Sequence, residues 1–347
     1  MKKKIKNAIR DLIRIIVGKK IYIYSRFILT HKYWPNFKNP KTFSEKIIHR
    51  KLNTNPYTLS KFVDKYTVRE YVEKKIGKEY LIPLIKAKNF IQPEDFDDLP
   101  NEFVLKTSNG GGGENVLIIK NKDELNLNNI CNKFNQYLNE KIGSKIDEPF
   151  YDIQKPKILC EKLIKDKNGH VPNDYKFHIF NSKEQKIFIQ IDSDRFSNHK
   201  RSIYTIDGKK ANFKIQPKYD EIETTFMFPE NLGKMLQLAI CLSEDFEYVR
   251  VDLYNCDGKI YFGEMTFCHG SGWEPISPKN ADYELGSYWE EWFIYEILSY
   301  RCRWFYRCKS LLWITKTRPF CHWIRFIKWL LRYKFKEISF KTDKYIR

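Results

Sequence analysis

The sequence predicts an α+β fold, and three observations carry that prediction. Strand-length apolar runs come in pairs joined by short polar turns. Segments with helical spacing stand between those pairs. No regular strand–helix alternation, the mark of a parallel βαβ array, runs through the chain. The 347 residues are 42% hydrophobic and 16% aromatic, enough for a sizeable core and too much for a disordered chain. That length suits two compact domains or one large one.

The N-terminal element comes first. Ile5, Ile9, Leu12, Ile13 and Ile16 recur at helical spacing, and Lys2, Lys3, Lys6, Arg10 and Arg14 fill other faces, which describes a basic amphipathic helix. Residues 21–60 are rich in aromatics and punctuated by Pro35, Pro40 and Pro56, with a helix expected over 43–51. Phe62, Tyr66, Val68, Val72 and Ile76 predict one helix over 62–76, closed by Gly77. A strand is expected over 80–85. Another, over 103–106, runs into Thr-Ser-Asn and four glycines, and a strand over 116–119 closes the hairpin. A helix over 125–141 follows, then strands over 158–164, 175–180, 188–191 and 202–206. Residues 233–243 read as a helix. Strands over 248–254 and 259–267 are joined by Asn255-Cys-Asp-Gly258, in which Asp-Gly is a strong turn pair. Near the C-terminus, Phe320, Trp323, Ile324, Phe326, Ile327, Trp329, Leu330 and Leu331 form a wide apolar face. His322, Arg325, Lys328, Arg332 and Lys336 form a narrow cationic stripe, the pattern of a helix lying in a bilayer interface.

Charge separates the ends from the body. Of the formal +19, residues 1–20 hold eight Lys/Arg against Asp11, residues 301–347 hold fourteen against Glu337 and Asp343, and the middle is neutral. Cationic ends on a neutral body suggest an anionic surface as partner. The end helices either pack on the body, bind an anionic membrane, or bind nucleic acid. No signature of a nucleic-acid-binding fold accompanies them, so the expectation is an anionic membrane and no nucleic acid. No charge-free stretch is long enough to cross a bilayer. The apolar run 12–17 is broken by Arg14 and lacks a small-residue cleavage site, unlike a signal peptide. The eight cysteines form no CxxC pair, which suits reduced thiols and argues against zinc. Together these readings place the chain on the cytoplasmic face of the plasma membrane.

Three segments carry chemistry. Gly110, Gly111, Gly112 and Gly113 follow a strand, and backbone N–H groups of such a loop approach a phosphate without Cβ interference. Lys106 ends the strand beneath and could reach a polyphosphate, yet a plain flexible hairpin tip also explains the glycines. In Arg250-Val-Asp252 and Glu264-Met-Thr266, period two puts each pair on one face, and antiparallel pairing brings Asp252 near Glu264. Two close carboxylates repel unless a cation sits between them, and magnesium accepts one or two carboxylates plus phosphate oxygens. The alternative is an exposed sheet face with solvated charges. Third, Cys160-Glu161-Lys162-Leu163-Ile164 follows an apolar run, and an edge backbone with one acid suits adenine, though alone it is uninformative; Lys176 is a candidate inward-facing strand lysine, for which an ordinary structural role is the alternative. Asp192-Ser-Asp194 has the spacing of a sugar-nucleotide motif but reads as a turn in a polar loop. His178, His199, His269 and His322 combine with no Cys or Asp at metal-ligand spacing, and His269 beside Cys268 reads as a packing residue that could line an acceptor site.

The order of these features resembles the ATP-grasp superfamily, and within it the TupA-like branch of teichuronopeptide and capsular polysaccharide biosynthesis. The resemblance rests on Asn39-Pro-Lys-Thr-Phe-Ser-Glu-Lys46, on Asp64-Lys-Tyr-Thr-Val-Arg-Glu-Tyr-Val72 and on Phe103-Val-Leu-Lys-Thr107. Asp174-Tyr-Lys-Phe177 and residues 250–267 complete it, over about residues 35–290. It implies a two-lobed fold with mixed or antiparallel sheets. Residues 1–34 would be a basic helical segment and 35–100 an abbreviated N-terminal region. Residues 101–165 would form the small lobe, 166–295 the large lobe, and 296–347 a basic C-terminal segment. It implies ATP and Mg2+ as cofactors, with Lys65 and Lys106 on the phosphates and Gly110–Gly113 as a lid over them. Glu161, Lys162 and the backbone of Leu163 would hold adenine. Lys176 would face the phosphates, Asp252, Glu264 and Thr266 would bind metal, and Arg250 would stabilise the phosphoryl group in flight. The usual Glu-x-Asn of the second metal position is here Glu264-x-Thr266. The implied reaction is carboxylate–amine ligation, adding an amino acid to a lipid- or nucleotide-linked saccharide precursor. Glycosyl transfer, a polysaccharide kinase and a non-catalytic binding module are the rival readings.

Overall fold

The computed structural model describes residues 2–290, apart from 112, 114, 194–197 and 224–225. The expected C-terminal helix and segment, Gly112 and Asp194 lie outside the described residues.

Helices dominate the first quarter: α1 (Lys2–Val17), α2 (Lys19–His31), α3 (Phe43–Asn53), α4 (Pro56–Val63) and α5 (Val68–Ile76). Thr42 caps α3 with a full capping box, its hydroxyl accepting from Glu45 N–H while the Glu45 carboxylate accepts from Thr42 N–H. The expected single helix over 62–76 is two. Asp64 makes the break, its Oδ1 accepting the N–H groups of Tyr66 and Thr67 at 3.0 and 2.9 Å, which competes with continuing the helix.

Two antiparallel sheets follow. The smaller contains β1 (Leu84–Lys88), β2 (Phe103–Thr107), β3 (Val116–Ile119) and β4 (Ile158–Lys162), in the order β1-β4-β2-β3. Helix α6 (Leu127–Tyr137) packs on one face, where Phe134 and Cys131 meet Phe103, Leu105, Ile158 and Cys160. The stretch expected as a helix over 125–141 ends at Tyr137, and α7 (Ile142–Ile146) is separate. The strand expected over 80–85 begins at Leu84 instead, because residues 78–80 form a 3-10 turn after Gly77.

The larger sheet contains β5 (Asp174–Phe180), β6 (Lys186–Ser193), β7 (Lys200–Thr205), β9 (Tyr248–Cys256) and β10 (Lys259–Thr266), in the order β10-β9-β5-β6-β7. The two-residue β8 (Lys214–Ile215) pairs with β11 (Ile276–Ser277), and α9 (Lys279–Tyr288) ends the described chain. Strand alternation divides the large sheet. Tyr175, Phe177, Ile179, Ile189, Ile191, Val249, Val251 and Leu253 form an apolar face in one core with Met235, Leu238, Ala239 and Leu242 of α8 (Leu232–Ser243). The opposite face carries Asp174, Lys176, His178, Gln190, Asp192, Arg250 and Asp252, all buried. Burying so many polar groups is tolerable only when each is paired. Among the described residues, no helix is long and apolar enough to cross a membrane.

Candidate active site

The site begins at the Asp64 turn. Asp64 Oδ2 accepts the Ser108 hydroxyl at 2.5 Å, and Lys65 N–H donates to the Ser108 carbonyl at 2.8 Å. This contact joins the α4–α5 turn to the glycine loop and delivers the Lys65 ammonium to the Gly110 carbonyl. Burial holds the Lys65 pKa below the ordinary lysine value, with Glu264 opposing and Lys106 adding to the depression. Gly110 and Gly113 have φ of 80° and 81°, the region glycine enters without strain. Among the described residues, nothing lies within 4 Å of a Cβ built on Gly111 or Gly113, so the loop is open at those two positions. Among the described residues, the buried Asn109 Oδ1 has no hydrogen-bond partner, the kind of unsatisfied atom found where a ligand completes a site.

Lys106 and Glu161 meet diagonally across β2 and β4, because Lys106 pairs with Leu159. Their ion pair is 2.6 Å, and Arg69 approaches the other Glu161 oxygen at 3.4 Å. Lys162 is exposed and Leu163 buried, at the end of the same strand.

On the large sheet, register decides the chemistry. The turn pairs Lys259 with Cys256, and an unbroken ladder would set Glu264 opposite Val251, on the apolar face. A bulge between Phe262 and Glu264 shifts the register, so Glu264 faces Asp252 and Thr266 faces Arg250. Gly263 suits that bulge, since a Cβ there would stand 3.1 Å from the Asp252 carbonyl oxygen. Arg250 then bridges the two acids. Its Nε and Nη2 donate to the two Asp252 oxygens at 2.7 Å each, and Nη2 also donates to Glu264 Oε1 at 2.8 Å. Thr266 Oγ1 donates to the same Glu264 oxygen at 3.2 Å. Lys176 contacts Asp174 and lies 3.2 Å from Asp252. Burial opposes the Lys176 charge, yet Asp174 and Asp252 raise its pKa above the ordinary value. Burial likewise opposes the Asp252 charge, and Arg250 and Lys176 more than offset it, holding Asp252 low.

The two carboxylates therefore converge on one cationic nitrogen, and with a hydroxyl beside them form a hard oxygen donor set that suits magnesium. Among the described residues no group of three or more His, Cys, Asp or Glu gathers around one point. Two carboxylates are enough where phosphate oxygens complete the shell.

Several neighbours escaped the sequence reading. His269 Nδ1 accepts from Arg250 Nη1 at 2.9 Å, so its proton sits on Nε2, 3.0 Å from Glu274 Oε2. Glu274 accepts from Arg201 at 2.7 Å, and Arg201 donates to Asp192 at 2.6 Å. Asp192 was expected in a polar turn; it lies in β6, buried, with His199 at 2.7 Å. His269 is thus more than a packing residue. The alternation of β5 could have flagged Asp174, but nothing in the spacing joins His269, Glu274 and Arg201.

The loop after β10 carries φ of 54°, 55° and 73° at Gly270, Ser271 and Gly272. Lys51 donates to the Ser271 carbonyl and hydroxyl at 2.9 and 2.8 Å, and Ser271 donates to Glu148 at 2.5 Å. Burial pushes the Glu148 carboxyl up to about 7, against the pull of Lys51 and Ser271. A raised acid stabilises the fold fully below its unfolded value of 4.5 and loses that contribution as pH rises through about 7. Glu148→Gln is therefore expected to remove a fall of roughly 3 kcal/mol across that window. Urea melts of both proteins at several pH values check this.

The TupA-like ATP-grasp family profile matches residues 45–290. The chain belongs to the TupA-like ATP-grasp family. Solved structures similar to this family member share little sequence with it. D-alanine–D-alanine ligase from Helicobacter pylori is 16% identical, with 67% of this chain and 62% of that one covered at a TM-score of 0.36. L-amino acid ligase from Bacillus licheniformis is 15% identical, with 66% and 49% covered and a TM-score of 0.38. N5-carboxyaminoimidazole synthetase from Staphylococcus aureus, solved with ADP, is 13% identical, with 60% and 46% covered and a TM-score of 0.36. The chain thus spans about half the length of such structures. The search of curated proteins found no match.

Proposed function

We propose that this chain is an ATP- and Mg2+-dependent ligase that joins an amino acid to a surface polysaccharide precursor, through a carboxylate of one partner and an amine of the other. One observation carries the reading: the Gly263 bulge turns Glu264 to face Asp252, both on Arg250, while Lys65 is buried within the field of Glu264, Lys106 and Glu161. Asp252, Glu264 and Thr266 would hold magnesium, which when bound neutralises phosphate charge. Lys65 and Lys106 lie where they can bind phosphate oxygens, with the glycine loop, open at Gly111 and Gly113, to cover them. The Glu161 strand end, with Lys162 and Leu163, borders the adenine position.

In that reaction a carboxylate oxygen of the acceptor attacks the γ-phosphorus, and the bond to ADP breaks. The amine nitrogen then attacks the acyl carbon, phosphate leaves, and the amine gives up a proton. Arg250 and Lys176 supply fixed positive charge where negative charge moves, which in such reactions does most of the catalytic work. The saccharide setting is the expectation attached to the TupA-like branch. ADP release from wild type, with uronic acids and amino acids offered in pairs, tests the reading. Release that needs both partners supports it. Release with a sugar hydroxyl alone would make the enzyme a kinase, and no nucleotide turnover with any acceptor would sink it.

A further inference from the structure

Helix α2 has two faces. Inward, Ile23 and Phe27 are buried with Tyr33, Phe37 and Ile48. The same helix holds the loop after β10: His31 Nε2 lies 3.0 Å from the Gly272 carbonyl, and the Arg26 guanidinium stacks 4.1 Å over the Trp273 ring. That loop begins two residues past Thr266, beside the proposed metal site. Outward, at about 100° per residue, Ile21 and Leu29 fall on the side opposite Phe27 and are 61% and 69% exposed.

Helix α1 adds to the outer surface. Leu12, Ile13, Ile15, Ile16 and Val17 are all exposed, Ile15 and Ile16 at 79% and 71%. Single exposed apolar residues are ordinary, but six between residues 12 and 21 make a patch that marks an interaction site. The corner at Gly18 is tied down, with Arg14 and Lys19 at 2.6 and 3.1 Å from Asp147. The patch is therefore presented by a fixed corner. Residues 1–20 hold eight Lys/Arg against one acid, three of the eight within the patch. Exposed aliphatic side chains within a strong cationic excess fit an anionic bilayer surface, which takes up both at once.

We propose that α1 and α2 seat the chain on an anionic bilayer and hold the 268–273 loop at that surface, so that the site works on a membrane-borne acceptor. The acceptor half rests on the ligase reading; the docking half does not. The test mixes the full chain with vesicles of phosphatidylcholine plus phosphatidylglycerol, or of phosphatidylcholine alone. The variant is Ile15→Glu/Ile16→Glu/Leu29→Glu, three exposed positions whose change leaves the core intact. Wild type is expected to sediment with the anionic vesicles, more weakly at high salt. The variant should lose about tenfold or more of that affinity while titrating with ATP and magnesium as wild type does. No binding to anionic vesicles overturns the proposal. So does equal binding by the variant, which would assign lipid contact to other residues. Sedimentation velocity showing a wild-type dimer that the variant dissolves would make the patch a subunit interface, and also overturns it. Vesicle binding without any nucleotide binding would retain the docking surface and remove the ligase reading.

Discussion

Glu264→Gln is expected to abolish magnesium-dependent ATP binding and ADP release while leaving the fold intact, whereas Asp252→Asn is expected to damage both. The two acids face each other across β9 and β10, but their surroundings differ. The Glu264 side chain is 37% exposed, and its loss leaves Arg250 still bonded to both Asp252 oxygens. Asp252 is buried and serves Arg250 and Lys176 together. Neutralising it leaves two buried cations short of a counter-charge, a change that typically costs about 3–5 kcal/mol. If Glu264 binds magnesium as proposed, its loss should lower turnover by about a thousandfold or more. Calorimetric titration of ATP with magnesium, run beside thermal melts, separates the effects. Glu264→Gln binding ATP as wild type does would remove the metal site. Asp252→Asn melting like wild type would mean that Arg250 and Lys176 do not depend on it.

The elements were largely legible in the sequence because strands and caps are local. The β2–β3 hairpin around the glycines and the Asp-Gly turn of β9–β10 appear where period two and turn residues place them. The helix over 62–76 is broken at Asp64, whose Oδ1 accepts the Tyr66 and Thr67 N–H groups while its Oδ2 accepts the hydroxyl of Ser108, 44 residues away, a contact the helical spacing does not reveal. The pairing of Asp252 with Glu264 was legible in outcome but not in cause. Simple pairing across the turn would have turned Glu264 into the core, and the corrective bulge at Gly263 is set by packing against the Asp252 backbone. Contacts such as Arg250 with His269, and Glu274 with Arg201, join segments that no periodicity relates.

Those long-range contacts lead to the expectation for Arg250→Lys. The guanidinium spends Nε and Nη2 on Asp252, Nη2 again on Glu264, and Nη1 on His269. A lysine keeps the charge, so the buried acids stay compensated and the chain should stay folded. An ammonium is a point charge without the planar fork, and it cannot hold the two acids and the imidazole together. Asp252 and Glu264 would then lose their shared orientation, and His269 would lose the donor that sets its tautomer. Burial keeps His269 below the ordinary histidine value, so it stays a neutral acceptor for Arg250 near neutral pH. The expected result is a fall of about a hundredfold or more in turnover, with a smaller change in ATP affinity, because the proposed site places the charge for ground-state phosphates largely on Lys65 and Lys106. His269→Asn should reproduce part of that loss, as its amide can hold Arg250 but not relay to Glu274. Steady-state ADP release in both variants, with ATP affinity measured separately, checks the split. Equal losses in turnover and affinity would mean that Arg250 serves binding alone.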